Sequence, residues 1–161
     1  MFVFKAAVAG SEERVAVVSA ALSGAGVELT GLAAADLVVI TGLGDDLGEA
    51  QELVSAIDEQ SRGIALFAID SADLPVTELA DATMRPGLVV GFHLGAEGSG
   101  VVEVAAGEDT DRQALQTAVA FAQAIKRQPV VCAESPGLIA TRIADDAKEI
   151  AGEAHRARPC R

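Results

Sequence analysis

Only two histidines occur in the 161 residues, and one of them, His93, closes the apolar run GLVVGFH. Glu103 follows inside a second apolar run, VVEVAA. An imidazole exchanges a proton near neutral pH, and a carboxylate beside it orients the ring and stabilises the imidazolium. His93 and Glu103 are therefore a candidate acid–base dyad set between two strands. Two plainer readings stand beside it. His93 can be a partly solvated imidazole at a strand end, inherited from an active ancestor, and Glu103 can be the one outward-facing polar residue of an edge strand. The linking segment GAEGSG (95–100) is either a phosphate cradle or a simple loop of small residues. Asp45-Asp46 reads as the cap of a helix that begins at Leu47, not as a metal pair. Cys132 and Cys160 have no metal spacing and read as a buried thiol and a tail thiol in a reducing compartment. Two distant histidines offer no ligand cluster, so no metal is expected.

The elements that must position this pair alternate along the chain. FVFKAAVA (2–9) reads as a strand, and SEERVAVVSAALSGAG (11–26) as a helix capped by Ser11 with acids in its first turn. VELT (27–30) is a short strand candidate, and DLVVIT (36–41) has the continuous apolar character of a strand covered on both faces. LGEAQELVSAIDEQS (47–61) has helical spacing, GIALFAI (63–69) is a strand, and LPVTELADAT (74–83) starts a short helix near Pro75. GLVVGF (87–92) and VVEVAA (101–106) are strands, TDRQALQTAVAFAQAIKR (110–127) is a helix, and PVVCA (129–133) is the last strand. After the break at Ser135-Pro136-Gly137, residues 138–157 read as a final helix whose apolar stripe (Ile139, Ile143, Ala147, Ile150) needs a surface to cover it. Such alternation predicts an α/β fold with a mainly parallel sheet. The link between 27–30 and the strand at 36 is too short for an ordinary parallel crossover. That leaves two readings: 27–30 is not a regular strand, or it runs antiparallel at the sheet edge.

Composition bounds the partners. One domain with a single core suits this length. With five Phe and no Tyr or Trp, that core must be aliphatic. Twelve basic against 24 acidic residues give a formal charge of −12. Such a surface repels phosphate backbones and matches anionic membranes poorly, so neither nucleic acid nor membrane is an expected partner. No apolar run approaches a membrane span. The start MFVFKAAVAGS imitates a signal peptide only faintly, which makes the cytoplasm the expected location.

The order of motifs resembles the Rossmann domain of 3-hydroxyacyl-CoA dehydrogenases. The stretches that carry the resemblance are ADLVVITG…DDLGEAQELVSAID, DSADLPVTELADATMRPGLVVGFH, VVEVAAG…D and PVVCAESPGLIATRI. It covers about residues 32–143 well, and before that only the skeleton of strand, helix and Gly26. The implied fold is a reduced, Rossmann-like, doubly wound and mainly parallel sheet (1–134) followed by a break, a C-terminal helix and a tail (135–161). The implied reaction moves a hydride from the acyl chain to nicotinamide, with His93 matching the family's histidine and Glu103 its glutamate. The implied cofactor is NAD, held by a G-x-G-x-x-G turn. Gly10 matches the first glycine, while Glu12 and Val15 stand at the second and third. A carboxylate about 4 Å from a pyrophosphate charge costs roughly 4 kcal/mol at an effective dielectric of about 20, on the order of a thousandfold in affinity. Read without a ligand, Glu12 and Glu13 are first-turn acids that favour the helix dipole.

Further departures accumulate on the substrate side. The strand VELTG has no acid at its C-terminal end to grip a ribose. The family's Phe-Phe-Asn-Pro after the histidine is Leu94-Gly95-Ala96-Glu97 here, and the spacing to the glutamate is shorter. Asp70-Ser71-Ala72-Asp73-Leu74 falls where the family has Asn-Thr-Ser-Ser-Leu, so Ala72 replaces the substrate-side serine and Ser71 is its nearest hydroxyl. Thr141 stands where the family usually has asparagine, and only the first helix of the family's helical domain follows. The expected function is a 3-hydroxyacyl-CoA dehydrogenase-like domain, catalytically impaired on its own, that acts as a binding or assembly module. Its expected partners are an acyl-CoA ligand and either a second copy or a chain supplying a helical domain. The alternative is an active NAD-dependent 3-hydroxyacyl-CoA dehydrogenase, or a subunit of one, using His93 and Glu103.

Overall fold

The computed structural model describes residues 4–95 and 100–134. The Ser-Pro-Gly break, the expected helix at 138–157, Thr141, Cys160 and the middle of GAEGSG lie outside the described residues. Seven strands form one sheet in the order β2-β1-β3-β4-β5-β6-β7. They are β1 (Lys5–Gly10), β2 (Glu28–Leu29), β3 (Leu37–Thr41), β4 (Leu66–Asp70), β5 (Val89–His93), β6 (Val101–Ala106) and β7 (Gln128–Ala133). All neighbours are parallel except β5 and β6. Among the described residues four α-helices cover the faces: α1 (Glu12–Gly24), α2 (Leu47–Gln60), α3 (Val76–Ala80) and α4 (Arg112–Ala124). This is the α/β fold with a mainly parallel sheet that the alternation predicts, in the reduced Rossmann-like form that the resemblance implies.

The strands alternate between two cores, and the expectation of an aliphatic core is corrected, since Phe67, Phe92 and Phe121 are fully buried. Leu37, Val39, Leu66, Ala68, Val90 and Phe92 pack towards α1 and α4, where Phe121 meets Phe4 edge-on at 5.2 Å and Phe92 at 5.6 Å. Val38, Ile40, Phe67, Ile69 and Val89 pack towards α2 and α3. Both faces of the central strands are therefore dry, and their apolar runs are continuous instead of alternating.

The short link after β2 is resolved by the strand's own brevity. Glu28 and Leu29 pair in parallel with Lys5 and Ala6, at the foot of β1. Thr30 N–H donates to Ala6 O at 2.9 Å, and Asp36 N–H donates to Lys5 O at 2.8 Å, so the chain passes beneath β1 and enters β3 at the same end. A long crossover is needed only when a strand must return from its far end. The antiparallel reading is therefore corrected: β2 is parallel, but only two residues long.

Caps follow the sequence in part. Asp46 Oδ1 accepts from Glu49 N–H at 2.9 Å and starts α2. Ser11 sits at the α1 N-cap without a side-chain cap bond, because its hydroxyl fills the space beside Gly42, where a Cβ would lie 1.9 Å from Ser11 Oγ. α3 is shorter than the sequence suggests, and Pro75 is its N-cap. A carboxylate from the sheet's far edge completes that cap: Glu134 accepts from Thr77 N–H at 2.9 Å and from the Thr77 hydroxyl.

α4 ends in a left-handed residue, Lys126, with φ 59°. Arg127 N–H reaches back to Ala122 O at 2.9 Å, the closure that glycine usually serves. A side chain in this conformation is strained. Lys126→Gly is expected to stabilise the fold by about 0.5–1 kcal/mol, read as a higher urea midpoint with an unchanged m-value.

Candidate active-site crevice

The strand order reverses at β1 and β3, which places a crevice at the C-terminal ends of these strands. The cleft there holds about 300 Å³ and is lined by Arg14, Gly42, Asp45, Asp70, Ser71 and His93 among others. Its centre is Asp70, the last residue of β4, which is 8% exposed. Asp70 Oδ2 accepts from the Thr41 hydroxyl at 2.7 Å and from Arg14 Nη2 at 3.0 Å. Oδ1 accepts from Leu94 N–H at 3.0 Å and lies 3.4 Å from His93 Nδ1. Burial alone would raise this carboxyl. The contacts from His93, Thr41, Leu94 N–H and Arg14 outweigh burial and bring it down to about 2. Asp70 thus ties the first turn of α1 to the ends of β3, β4 and β5.

His93 and Glu103 are direct cross-strand partners in the antiparallel β5–β6 pair. Directly opposed residues place their side chains on one face, so the structure brings the two expected residues together. Glu103 is 5% exposed, and β6 is flanked by β5 and β7. The reading of Glu103 as an outward residue of an edge strand is therefore corrected. The imidazole has a second acidic neighbour in Asp70. At 3.4 Å the Nδ1 contact is too long for a full hydrogen bond, and it acts as an ion pair once the ring is protonated. The Asp70 contact is the largest influence on His93 and raises its pKa; burial opposes it, and the charges of Asp70, Glu103 and Asp73 add to the rise.

Sequence reasoning missed Asp70 and Arg14. The available signal was a carboxylate ending an apolar strand run, GIALFAID, in an α/β pattern whose strand ends line the crevice. Ser71 does line the crevice, and its hydroxyl accepts from Leu74 N–H at 3.2 Å, which shapes the turn into α3. Ala72 lines the crevice without a hydroxyl. Cys132 is half-buried on β7, less covered than expected; burial, and then Glu103, push its thiol up. Among the described residues no group of three or more His, Cys, Asp or Glu side chains is placed to hold a metal.

The turn that opens α1 bears on a dinucleotide. Gly10 has φ 134°, and a Cβ there would lie 1.7 Å from Thr41 O. Glu12 and Glu13 are exposed at the start of α1, and Val15 is half-buried at the third motif position. β2 stops at the foot of β1, so no strand end stands beside the turn where a ribose would be gripped. Arg14, the cation nearest the turn, is engaged by Asp70. The crevice volume is at the low end for any small ligand. These residues do not fit a dinucleotide laid across the turn.

The profile of the family described as "3-hydroxyacyl-CoA dehydrogenase, NAD binding domain" matches residues 6–135. This chain belongs to that family. Among curated relatives, the fatty acid oxidation complex subunit alpha of Shewanella amazonensis is 33% identical over 118 residues, which cover 72% of this chain and 17% of the relative. The subunit of the same name from Aliivibrio fischeri is 32% identical over 108 residues, 66% of this chain and 16% of the relative. The chain therefore spans about a sixth of the length of these relatives. The dehydrogenase fold is equally plain in solved structures: (S)-3-hydroxybutyryl-CoA dehydrogenase from Ralstonia eutropha superposes with a TM-score of 0.76 at 17% identity, over 95% of this chain and 73% of that one. A diketoreductase gives 0.78 at 16% identity, with the same coverage. The chain is thus a 3-hydroxyacyl-CoA dehydrogenase NAD-binding domain, similar in sequence to part of the alpha subunits of fatty acid oxidation complexes, and NAD is the cofactor of its family.

Proposed function

We propose that this domain is catalytically impaired on its own and serves acyl-CoA metabolism as a binding or assembly module. The carrying observation is the Arg14–Asp70 strut. Its two members line the crevice at the strand ends, and it engages Arg14, a cation of the first turn of α1, while an exposed Glu12 stands at the second motif position. A partner that supplies a helical domain, or a second copy, belongs to the same proposal. An acyl-CoA ligand and a cytoplasmic location belong to the same proposal. Among the described residues no helix is long and apolar enough to cross a membrane. Titration with NADH, followed by its fluorescence, is expected to show no saturation in the micromolar range; micromolar binding would sink this reading.

One observation favours an active enzyme: the cross-strand register that sets His93 opposite Glu103. In that reading His93 moves the substrate proton and Glu103 steadies the imidazolium. It requires turnover of acetoacetyl-CoA with NADH that disappears in His93→Ala.

A further inference from the structure

A second and larger cleft, of about 720 Å³, runs beside α1 to the end of α4. Its floor is apolar: Val18 and Leu22 are each 2% exposed and Ile125 is 8% exposed. Its charged lining is of one sign. Arg14, Lys126 and Arg127 face it, and no acidic residue is among its described lining, although acids outnumber bases 24 to 12 in the chain. The crevice around Asp70, in contrast, is lined by three aspartates.

Two features mark this cationic end as more than a solvated surface. Arg127 Nη1 is buried and has no hydrogen-bond partner among the described residues. A buried guanidinium nitrogen without an acceptor is costly, and an anion is the acceptor it lacks. Lys126, which also lines the cleft, holds a left-handed backbone that glycine would adopt without strain. The three cations also share one end of the sheet. Gln128 N–H donates to Gly100 O at 2.8 Å, which sets Arg127 beside the end of the β5–β6 loop. Asp70 binds both Arg14 and Leu94 N–H, which sets Arg14 beside the start of that loop. From Arg14 the cleft follows α1 to Ala25, about 16 Å at the helical rise.

We infer that this groove binds an anionic amphiphile. A single carboxylate or phosphate head sits against Lys126 and Arg127, and its apolar chain lies along α1 over Val18 and Leu22. The groove shares Arg14 with the Asp70 crevice, but Lys126 and Arg127 line the groove alone.

The test is calorimetric titration of the full chain with dodecanoate, dodecyl phosphate and neutral dodecanol, all below micelle formation. Saturable 1:1 binding of at least one anion, with dodecanol at least tenfold weaker, is expected, and the tighter anion identifies the head. Arg127→Ala and Lys126→Gly should each weaken the anion about fivefold or more. Lys126→Gly should do so while its melting temperature rises, which separates lost binding from lost folding. Equal affinity for dodecanol, no saturable binding of either anion, or unchanged affinity in both variants would overturn the inference.

Discussion

Gly10→Ala should be severely destabilising, with a melting temperature and urea midpoint far below those of the parent. The added Cβ would stand 1.7 Å from the Thr41 carbonyl oxygen, and Gly10 and Thr41 are register partners in the β1–β3 pair. The obstacle is backbone in the sheet centre, so no rotamer change relieves it. The φ of 134° is a second barrier, since side chains avoid this region. Together they set a cost above about 4 kcal/mol, a large part of the roughly 5–15 kcal/mol that holds a domain together. Circular dichroism across a urea titration reads it. A variant within a few degrees of the parent melting temperature would show that β1 and β3 can part locally at little cost. The expectation also changes what this glycine means. It matches the first position of a phosphate-binding turn, yet the β1–β3 approach requires it whether or not a phosphate is bound. Its retention is therefore not evidence for a cofactor, whereas Glu12 and Val15 stand at positions where the sheet makes no such demand.

The fold was legible because the apolar runs of β3, β4 and β5 are covered on both faces and so stay continuous. The amphipathic helices between them left the connections little freedom. β2 was harder to read. Its two residues carry no periodic signal, and its brevity, not its direction, explains the short link to β3. The His93–Glu103 pairing was legible from two strands joined by a glycine-rich loop, whose register sets them opposite one another. Asp70 was not. Its partners Arg14, Thr41 and Leu94 lie on three different elements, and a strand-end aspartate in sequence looks the same whether it caps a turn or anchors a network. Lys126 was hidden for a related reason: nothing in AIKRQ announces that the helix closes on a left-handed lysine instead of a glycine.

Asp70→Ala should cost about 4 kcal/mol, because removing one member of a buried charged network strands the others. Thr41 is fully buried and would keep a hydroxyl without its acceptor; Arg14 is partly exposed and can turn to water. The more informative variant is Asp70→Asn, which keeps the shape and removes the charge. Asp70 falls from 3.8 in its ordinary state to about 2 in the fold, which corresponds to about 2 kcal/mol. That contribution is complete above pH 3.8 and is lost as pH falls towards 2. His93 is shifted the other way: its raised pKa contributes stability that is present below 6.5 and lost as pH rises through the folded value. The pair should therefore stabilise most between about pH 4 and 6.5, and Asp70→Asn should flatten the stability profile at both edges of that window. The imidazole signal of His93 in a proton NMR titration separates the two carboxylates. Asp70→Asn should lower its midpoint more than Glu103→Gln does, because the Asp70 contact is the largest influence on it. The opposite order would restore Glu103 as the principal partner and, with it, the dyad of an active dehydrogenase.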